Sequence, residues 1–392
     1  MHLGKKLLTW TKRREYLKWL FLSLAVSAFL RLPYFQYDFI FVDEAWWANG
    51  AKALFQGKQL YSDIALDKNP PIFWLCAALF KIFGVHMAAI HWGALFLVGT
   101  VSALLCLMGR RFFGASSASA ALVYAFASTT YYIPRIIGMN TETLMAFFST
   151  AAVFAYLHGL STRRRPYSFL SASGFLSCWA CFTKPVAITE TAFLVLYLLL
   201  GRSHDRGLKL RLLAAFCIGI AAAAAMFFSY LAATGILHPW WDQVVLFGLR
   251  YIRRIDTAAF LLKSLRANIA FVIIFTWLFI LIWYSYRMRS QNRRIYDFTV
   301  LWALSSFIGV VIGRRYYANY FLQIIPPLSL LAGIGFAYLL ENPQLSRSAR
   351  SWKALGVAFL ASALWFHSRT LAGWLSLAVP AVQEIRLWDM GA

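Results

Sequence analysis

Solid apolar runs of about twenty residues recur along almost the whole chain, and this feature constrains the fold more than any other. A helix of that length crosses a hydrocarbon core of about 30 Å. In lipid, only helices and closed barrels satisfy every backbone polar group. Barrel strands would alternate apolar and polar residues, whereas these runs are unbroken. Apolar residues make up 61% of the chain and charged ones 14%, against about 25% charged in soluble domains. Soluble enzymes, disordered chains and disulfide scaffolds are thereby excluded. The sequence predicts an all-α polytopic membrane protein.

The formal charge of +23 does not indicate nucleic acid, because Lys and Arg sit in short clusters between the apolar runs. That is the pattern of the positive-inside rule. Spans are expected at about 17–32, 87–109, 115–133, 141–160, 167–183, 185–200, 211–234, 267–286, 297–313, 319–340 and 353–375. Threaded alternately, they place Arg110-Arg111, Arg163 to Arg165, Arg202 to Arg211, Arg287 to Arg294 and Arg347 to Lys353 on the cytoplasmic side. Residues 1–16 then form a cytoplasmic N-terminus, and 17–392 a single membrane domain of about eleven spans with two long external loops, 33–86 and 235–266. The apolar stretch 71–83 is too short to span and belongs to the first loop. The second loop, from Trp240 to Leu265, has the mixed apolar and basic character of an interfacial helix. The five cysteines all lie in apolar runs and make no disulfide or metal framework.

Five of the fifteen acidic residues, Asp38, Asp43, Glu44, Asp63 and Asp67, fall in the first external loop. Asp43 and Glu44 open a predicted helix, where carboxylates favour the positive end of its dipole. They also lie just beyond a span, among Phe41, Trp46 and Trp47, where an ionisable group is costly without a partner. Lys68 precedes Asn69-Pro70-Pro71, and the prolines force Asn69 into an extended conformation, so the Lys68 charge is held in place. Arg135, Asn140 and Glu142 mark another external junction, where Asn140-Thr141-Glu142 reads either as a helix cap or as a binding element. Lys184 ends a span externally, as a snorkelling anchor or a site residue.

The order of a cytoplasmic N-terminus, one span, Asp43-Glu44-Ala45, then Gly57, Tyr61, Asp63, Lys68, Pro70 and Pro71, resembles the GT-C membrane glycosyltransferases. It is most similar to the family 39-like group of protein O-mannosyltransferases and lipid A aminoarabinose transferases. A second block, with Arg314, Arg315, Tyr316, Tyr320 and Pro326-Pro327, resembles a late span of the same group. Lys68 stands one position earlier than in the commoner K-P-P form. The chain is short for the group, which implies an acceptor-binding part that is reduced, absent or supplied by a partner.

The resemblance implies a GT-C bundle with juxtamembrane helices in its two external loops. It also implies transfer, with inversion, of a sugar from a polyprenyl-phosphate donor to an acceptor lipid, glycan or protein. The site would lie on the external face, as in a bacterial inner membrane protein with a periplasmic active site. Asp43 is then the expected general base and Glu44 its supporting carboxylate. Lys68, Arg314 and Arg315 are the expected ligands of the donor phosphate. Tyr61, Asp63, Asp67, Arg135, Glu142, Lys184, Arg250, Arg253 and Tyr316 are secondary candidates. The sequence marks no cofactor, and a divalent cation stays open because no ligand spacing marks one. A carrier-lipid flippase is the competing class, but it needs charges along a path through both leaflets. An O-antigen-type polymerase or ligase carries its main external loop late in the chain rather than first.

Overall fold

The computed structural model describes residues 2–38, 40–130, 137–162, 165–201, 205–253, 257–342, 355–362, 370–372 and 374–375, with side chains from Tyr16 onward except at 252, 253, 257 and 259. Among the described residues there is no β-strand, only helices and turns with one isolated bridge between Leu60 and Ile64. The all-α reading is borne out. The helices are α1 (His2–Arg31), α2 (Val42–Phe55), α3 (Pro70–Phe83), α4 (Met87–Phe113) and α5 (Ala120–Thr130). There follow α6 (Thr141–Ser161), α7 (Pro166–Thr183), α8 (Ile188–Leu200), α9 (Arg206–Ala233) and the short α10 (Leu237–Trp240). The last five are α11 (Phe247–Arg253), α12 (Thr257–Ile274), α13 (Thr276–Ser285), α14 (Arg293–Ile312) and α15 (Ile325–Glu341).

Among the described residues, five helical stretches are long and apolar enough to cross a membrane: Tyr16–Gln36, Met87–Phe113, Thr141–Ser161, Arg206–Ala233 and Arg293–Ile312. Pro70–Phe83, Pro185–Leu200 and Ile325–Glu341 are shorter apolar helices. The chain is an integral multi-pass membrane protein. A straight span expected at 267–286 is instead a pair, α12 and α13, bent by 70°. Thr276 supplies a physical reason. Its hydroxyl donates to the carbonyls of Val272 and Ile273, and such back-bonding competes with the helical ladder. Residues 131–133 of the expected span at 115–133, and residues 353–354, 363–369 and 373 of the one at 353–375, lie outside the described residues.

Helix packing follows the rule for lipid, where small residues permit close approach. Gly174 of α7 and Gly219 of α9 meet the backbone of the opposite helix so closely that a Cβ on either would collide with it. A core of buried aromatics, including Tyr156, Phe216, Phe298 and Trp302, joins α6, α9 and α14. A second core sets α2 and α3 on α4 through Trp47, Phe73, Cys76 and Ile90. The site is built from the loops and helix ends above these two cores.

Candidate active site

Asp43 and Glu44 occupy the first turn of α2 as the sequence predicts. Neighbours on a helix point about 100° apart, and the two carboxylates part accordingly. Glu44 is fully buried. It accepts hydrogen bonds from the backbone N–H of Ile40 at 2.7 Å and of Met139 at 2.6 Å. His91 Nε2 lies 3.3 Å from Glu44 Oε2, and Trp47 Nε1 donates to the Met139 carbonyl at 3.1 Å. Glu44 therefore supports Asp43 through the backbone, tying α2 to the segment that leads into α6, and not from within the cavity. Gly138 packs directly on the Glu44 carboxyl, where a Cβ would overlap it. Gly138→Ala is expected to lower stability by about 1–3 kcal/mol through overpacking, read as a lower unfolding midpoint in detergent.

Asp43 lines an open cavity of about 530 Å³ whose walls include Trp46, Asp67, Lys68, Asp242 and Arg250. Lys68 is held there by local geometry. Asn69 is extended (φ −64°, ψ 152°) and Pro70 begins α3, the conformations that consecutive prolines impose. Tyr61, in the left-handed region at φ 69°, donates its hydroxyl to the Lys68 carbonyl at 2.6 Å. Burial pushes the Tyr61 phenol far above its ordinary pKa, with lesser contributions from Tyr230 and Asp67, so it stays a neutral donor. A π-helical stretch, Trp241–Leu246, presents Gln243 to the same loop. Its side chain accepts from Leu66 N–H at 3.0 Å and donates to the Tyr61 carbonyl at 2.5 Å. Trp240 Nε1 donates to Asn69 Oδ1 at 2.8 Å. The two long loops thus interlock around Lys68.

Other candidates fall in different places. Lys68 forms an ion pair with Asp67, both partly exposed. Asp63 accepts from Gln59 N–H at 2.7 Å and does not line the cavity, so it fixes the loop. Arg135 lies outside the described residues, as does the side chain of Arg253. Tyr316 is buried against Phe260 and Phe321. Arg314 and Tyr316 both adopt positive φ, 53° and 49°, a strained conformation of the kind that clusters at functional sites. Arg314 sits over the Phe260 ring at 4.8 Å. Arg315 stacks on Tyr251 at 3.6 Å and donates to its carbonyl at 2.7 Å. It therefore braces α11 one residue from Arg250 rather than lining the Asp43 cavity.

A buried ion pair lies deeper. Lys184 binds Glu142, and Asn319 Nδ2 donates to Glu142 Oε1 at 2.8 Å. The Lys184 ammonium stands over the Tyr320 ring at 3.4 Å, a cation–π contact. Thr141 donates to Glu142 Oε2 at 2.9 Å. The Asp43 charge is a minor influence on Lys184 and Tyr320, and neither residue lines the Asp43 cavity. Lys184 is thus a bound partner and not a snorkelling anchor. Asn140 stands at the N-cap position but gives its side-chain amide to the Gly138 carbonyl at 3.0 Å and makes no side-chain cap. Sequence reasoning missed Asn319 and Gln243, neither of which carries charge or a motif.

Beside the polar mouth, an apolar cavity of about 1000 Å³ runs between α3, α4, α6 and α7, lined by Pro71, Trp74, Trp92, Leu144, Phe147 and Trp179 among others. Pro71 is three residues from Lys68 and Leu144 two from Glu142. Among the described residues, no three His, Cys, Asp or Glu side chains gather as a metal site.

The family model described as dolichyl-phosphate-mannose-protein mannosyltransferase matches residues 67–232. The fold is similar to that of ArnT from Cupriavidus metallidurans bound to undecaprenyl phosphate, with a TM-score of 0.66 and 19% identity, over 91% of this chain and 65% of that one. It is also similar to the archaeal oligosaccharyltransferase AglB from Archaeoglobus fulgidus in complex with an inhibitory peptide and a dolichol-phosphate, with a TM-score of 0.55 and 15% identity, over 90% of this chain and 55% of that one. An uncharacterized protein of Aquifex aeolicus (strain VF5) is 22% identical over 338 residues, 83% of this chain and 65% of its own length. The chain thus spans somewhat under two thirds of these relatives. Its fold is the GT-C fold, and the resemblance to the mannosyltransferase and aminoarabinose transferase group is borne out by fold and family model together.

Proposed function

We propose that this chain is a membrane glycosyltransferase that moves a sugar from a polyprenyl-phosphate donor to an acceptor at the external mouth of the bundle, with inversion. The observation that carries this reading is one cavity holding three carboxylates, Asp43, Asp67 and Asp242, with two cations, Lys68 and Arg250, together with an apolar cavity that begins three residues from Lys68 at Pro71. The leaving group is a phosphate, already a stable anion, so the reaction needs cations where charge develops rather than a general acid. Lys68 and Arg250 supply that charge from the wall shared with Asp67. The prenyl chain lies in the aromatic cavity that opens beside Pro71. The acceptor hydroxyl attacks the anomeric carbon from the opposite face, and Asp43 takes its proton as the carbon–phosphate oxygen bond breaks. Arg315 keeps Arg250 in position through α11, and Glu142 with Lys184 forms the inner wall that limits how deeply the sugar enters.

The test is a panel of polyprenyl-phosphate sugars given to the purified protein in lipid, read as release of polyprenyl phosphate with and without a chelator. Release dependent on one sugar supports the reading, and no release from any member with any class of acceptor counts against it. Loss of release with the chelator would add a divalent cation to the site. Within that assay Tyr61→Phe is expected to raise the donor KM about five-fold with little change in kcat. The lost hydrogen bond to the Lys68 carbonyl corresponds to about 1 kcal/mol.

A further inference from the structure

Besides Glu44 and Glu142, the described residues hold a further buried carboxylate that the proposed chemistry does not use. Glu190, in the first turn of α8, is almost wholly buried. Its Oε1 accepts from Trp302 Nε1 at 2.9 Å and from the Ser306 hydroxyl at 2.5 Å, both on α14. Its Oε2 accepts from the Ser149 hydroxyl of α6 at 2.6 Å. The side-chain amide of Gln323 comes to the same carboxylate without completing a hydrogen bond. Gln323 is pressed against Gly309, where a Cβ would stand 2.6 Å from its Nε2.

Each of these elements ends in the site. Ser149 lies seven residues along α6 from Glu142, about 10 Å at the helical rise. α14 leads outward into Arg314 and Arg315. Gln323 closes the 3-10 turn Ala318–Gln323 that carries Asn319 and Tyr320, the partners of Glu142 and Lys184. Its two oxygens accept from α6 and from α14 together, with the Gln323 amide of a third element beside them, so one side chain can set all three at a common level. In the membrane interior such a buried ionisable group marks a functional element unless it is only packing.

We propose that Glu190 is a positioning residue for this site: it sets the level of α6, α14 and the 318–323 turn, so that Asn319 meets Glu142 and Tyr320 meets Lys184. It touches no substrate. The inference rests on the transferase reading for its kinetic consequence only, because its structural consequence has a readout of its own.

The experiment compares wild type, Glu190→Gln and Glu190→Ala in lipid nanodiscs, measuring the rate at which an amine-reactive ester labels Lys184, by mass spectrometry, well below the unfolding midpoint. The Gln side chain keeps the volume and one acceptor oxygen for Trp302 and Ser306, but puts an N–H donor where Oε2 accepts from the Ser149 hydroxyl. Glu190→Gln is expected to fold with an unchanged midpoint, to label Lys184 about five-fold faster, and to lose about ten-fold in kcat with donor KM unchanged. Glu190→Ala should label faster still. The proposal is overturned if Glu190→Gln labels Lys184 at the wild-type rate, including the case in which its midpoint falls. If wild type releases no polyprenyl phosphate, the transferase reading fails while the labelling still decides the role of Glu190.

Discussion

Asp43→Asn is expected to remove sugar transfer while leaving the protein folded and able to bind donor lipid, with kcat lower by about 10² to 10⁴-fold. The substitution keeps size and polarity, and it removes the negative charge and with it the ability to accept a proton. The packing of this turn rests mainly on the neighbouring Glu44. Its oxygens hold Ile40, Met139 and His91, whereas Asp43 faces the cavity with Lys68 and Arg250. Donor KM and the unfolding midpoint in detergent are therefore expected to stay near wild type. Turnover retained within a few-fold would exclude Asp43 as the base. Glu44→Gln is the informative companion. It should lower the midpoint by replacing an acceptor with a donor against a backbone N–H, and its turnover should fall with the folded fraction.

The division of labour between these two adjacent acids shows what a sequence can and cannot convey. Their position beside a span marks both as exceptional, and the first-turn location is legible from the charge preference of helix ends. Which of them faces the cavity is set by helix phase, and phase depends on what packs behind α2. That packing comes from Gly138 and His91, 94 and 47 residues away from Glu44. The local rules carried further at Lys68. Two prolines dictate an extended Asn69 and a helix start, and the backbone follows.

The second long loop was legible only in part. A continuous interfacial helix is expected from Trp240 to Leu265, whereas a π-helical stretch intervenes at Trp241–Leu246 and α12 begins at Thr257. Inserting the wider turn re-aims Gln243 at the first loop, where it bonds Leu66 and Tyr61. No composition signal distinguishes π from α geometry here, so this interlock is a tertiary fact. The same holds for Asn319, whose amide matters only because the Glu142–Lys184 pair stands opposite. Spans and basic connectors, by contrast, follow from the cost of placing polar groups in hydrocarbon, which acts residue by residue and leaves its mark directly in the sequence.

The Glu142–Lys184 pair should give the largest stability effect. Removing one partner of a buried pair leaves the other charge unpaired, at a cost of about 3–5 kcal/mol. Lys184 is 15% exposed and Glu142 2%, so water can relieve little of it. Lys184→Met also strips the ammonium from the Tyr320 ring, and Glu142→Gln turns a donor towards Lys184. Each single variant is expected to unfold at a markedly lower temperature in detergent. The double variant Glu142→Gln/Lys184→Met carries no unpaired charge and should recover most of the midpoint, since a neutral replacement of a buried pair is often nearly neutral in stability. Turnover should not recover with it. In the proposed site the pair stands behind Asp43, and a misplacement of about 1 Å there can cost about 10²-fold in rate. Stability regained together with full activity would assign the pair to the fold alone. Stability regained without activity would assign it to the site, with the aromatic Tyr320 and the amide of Asn319 as its remaining wall.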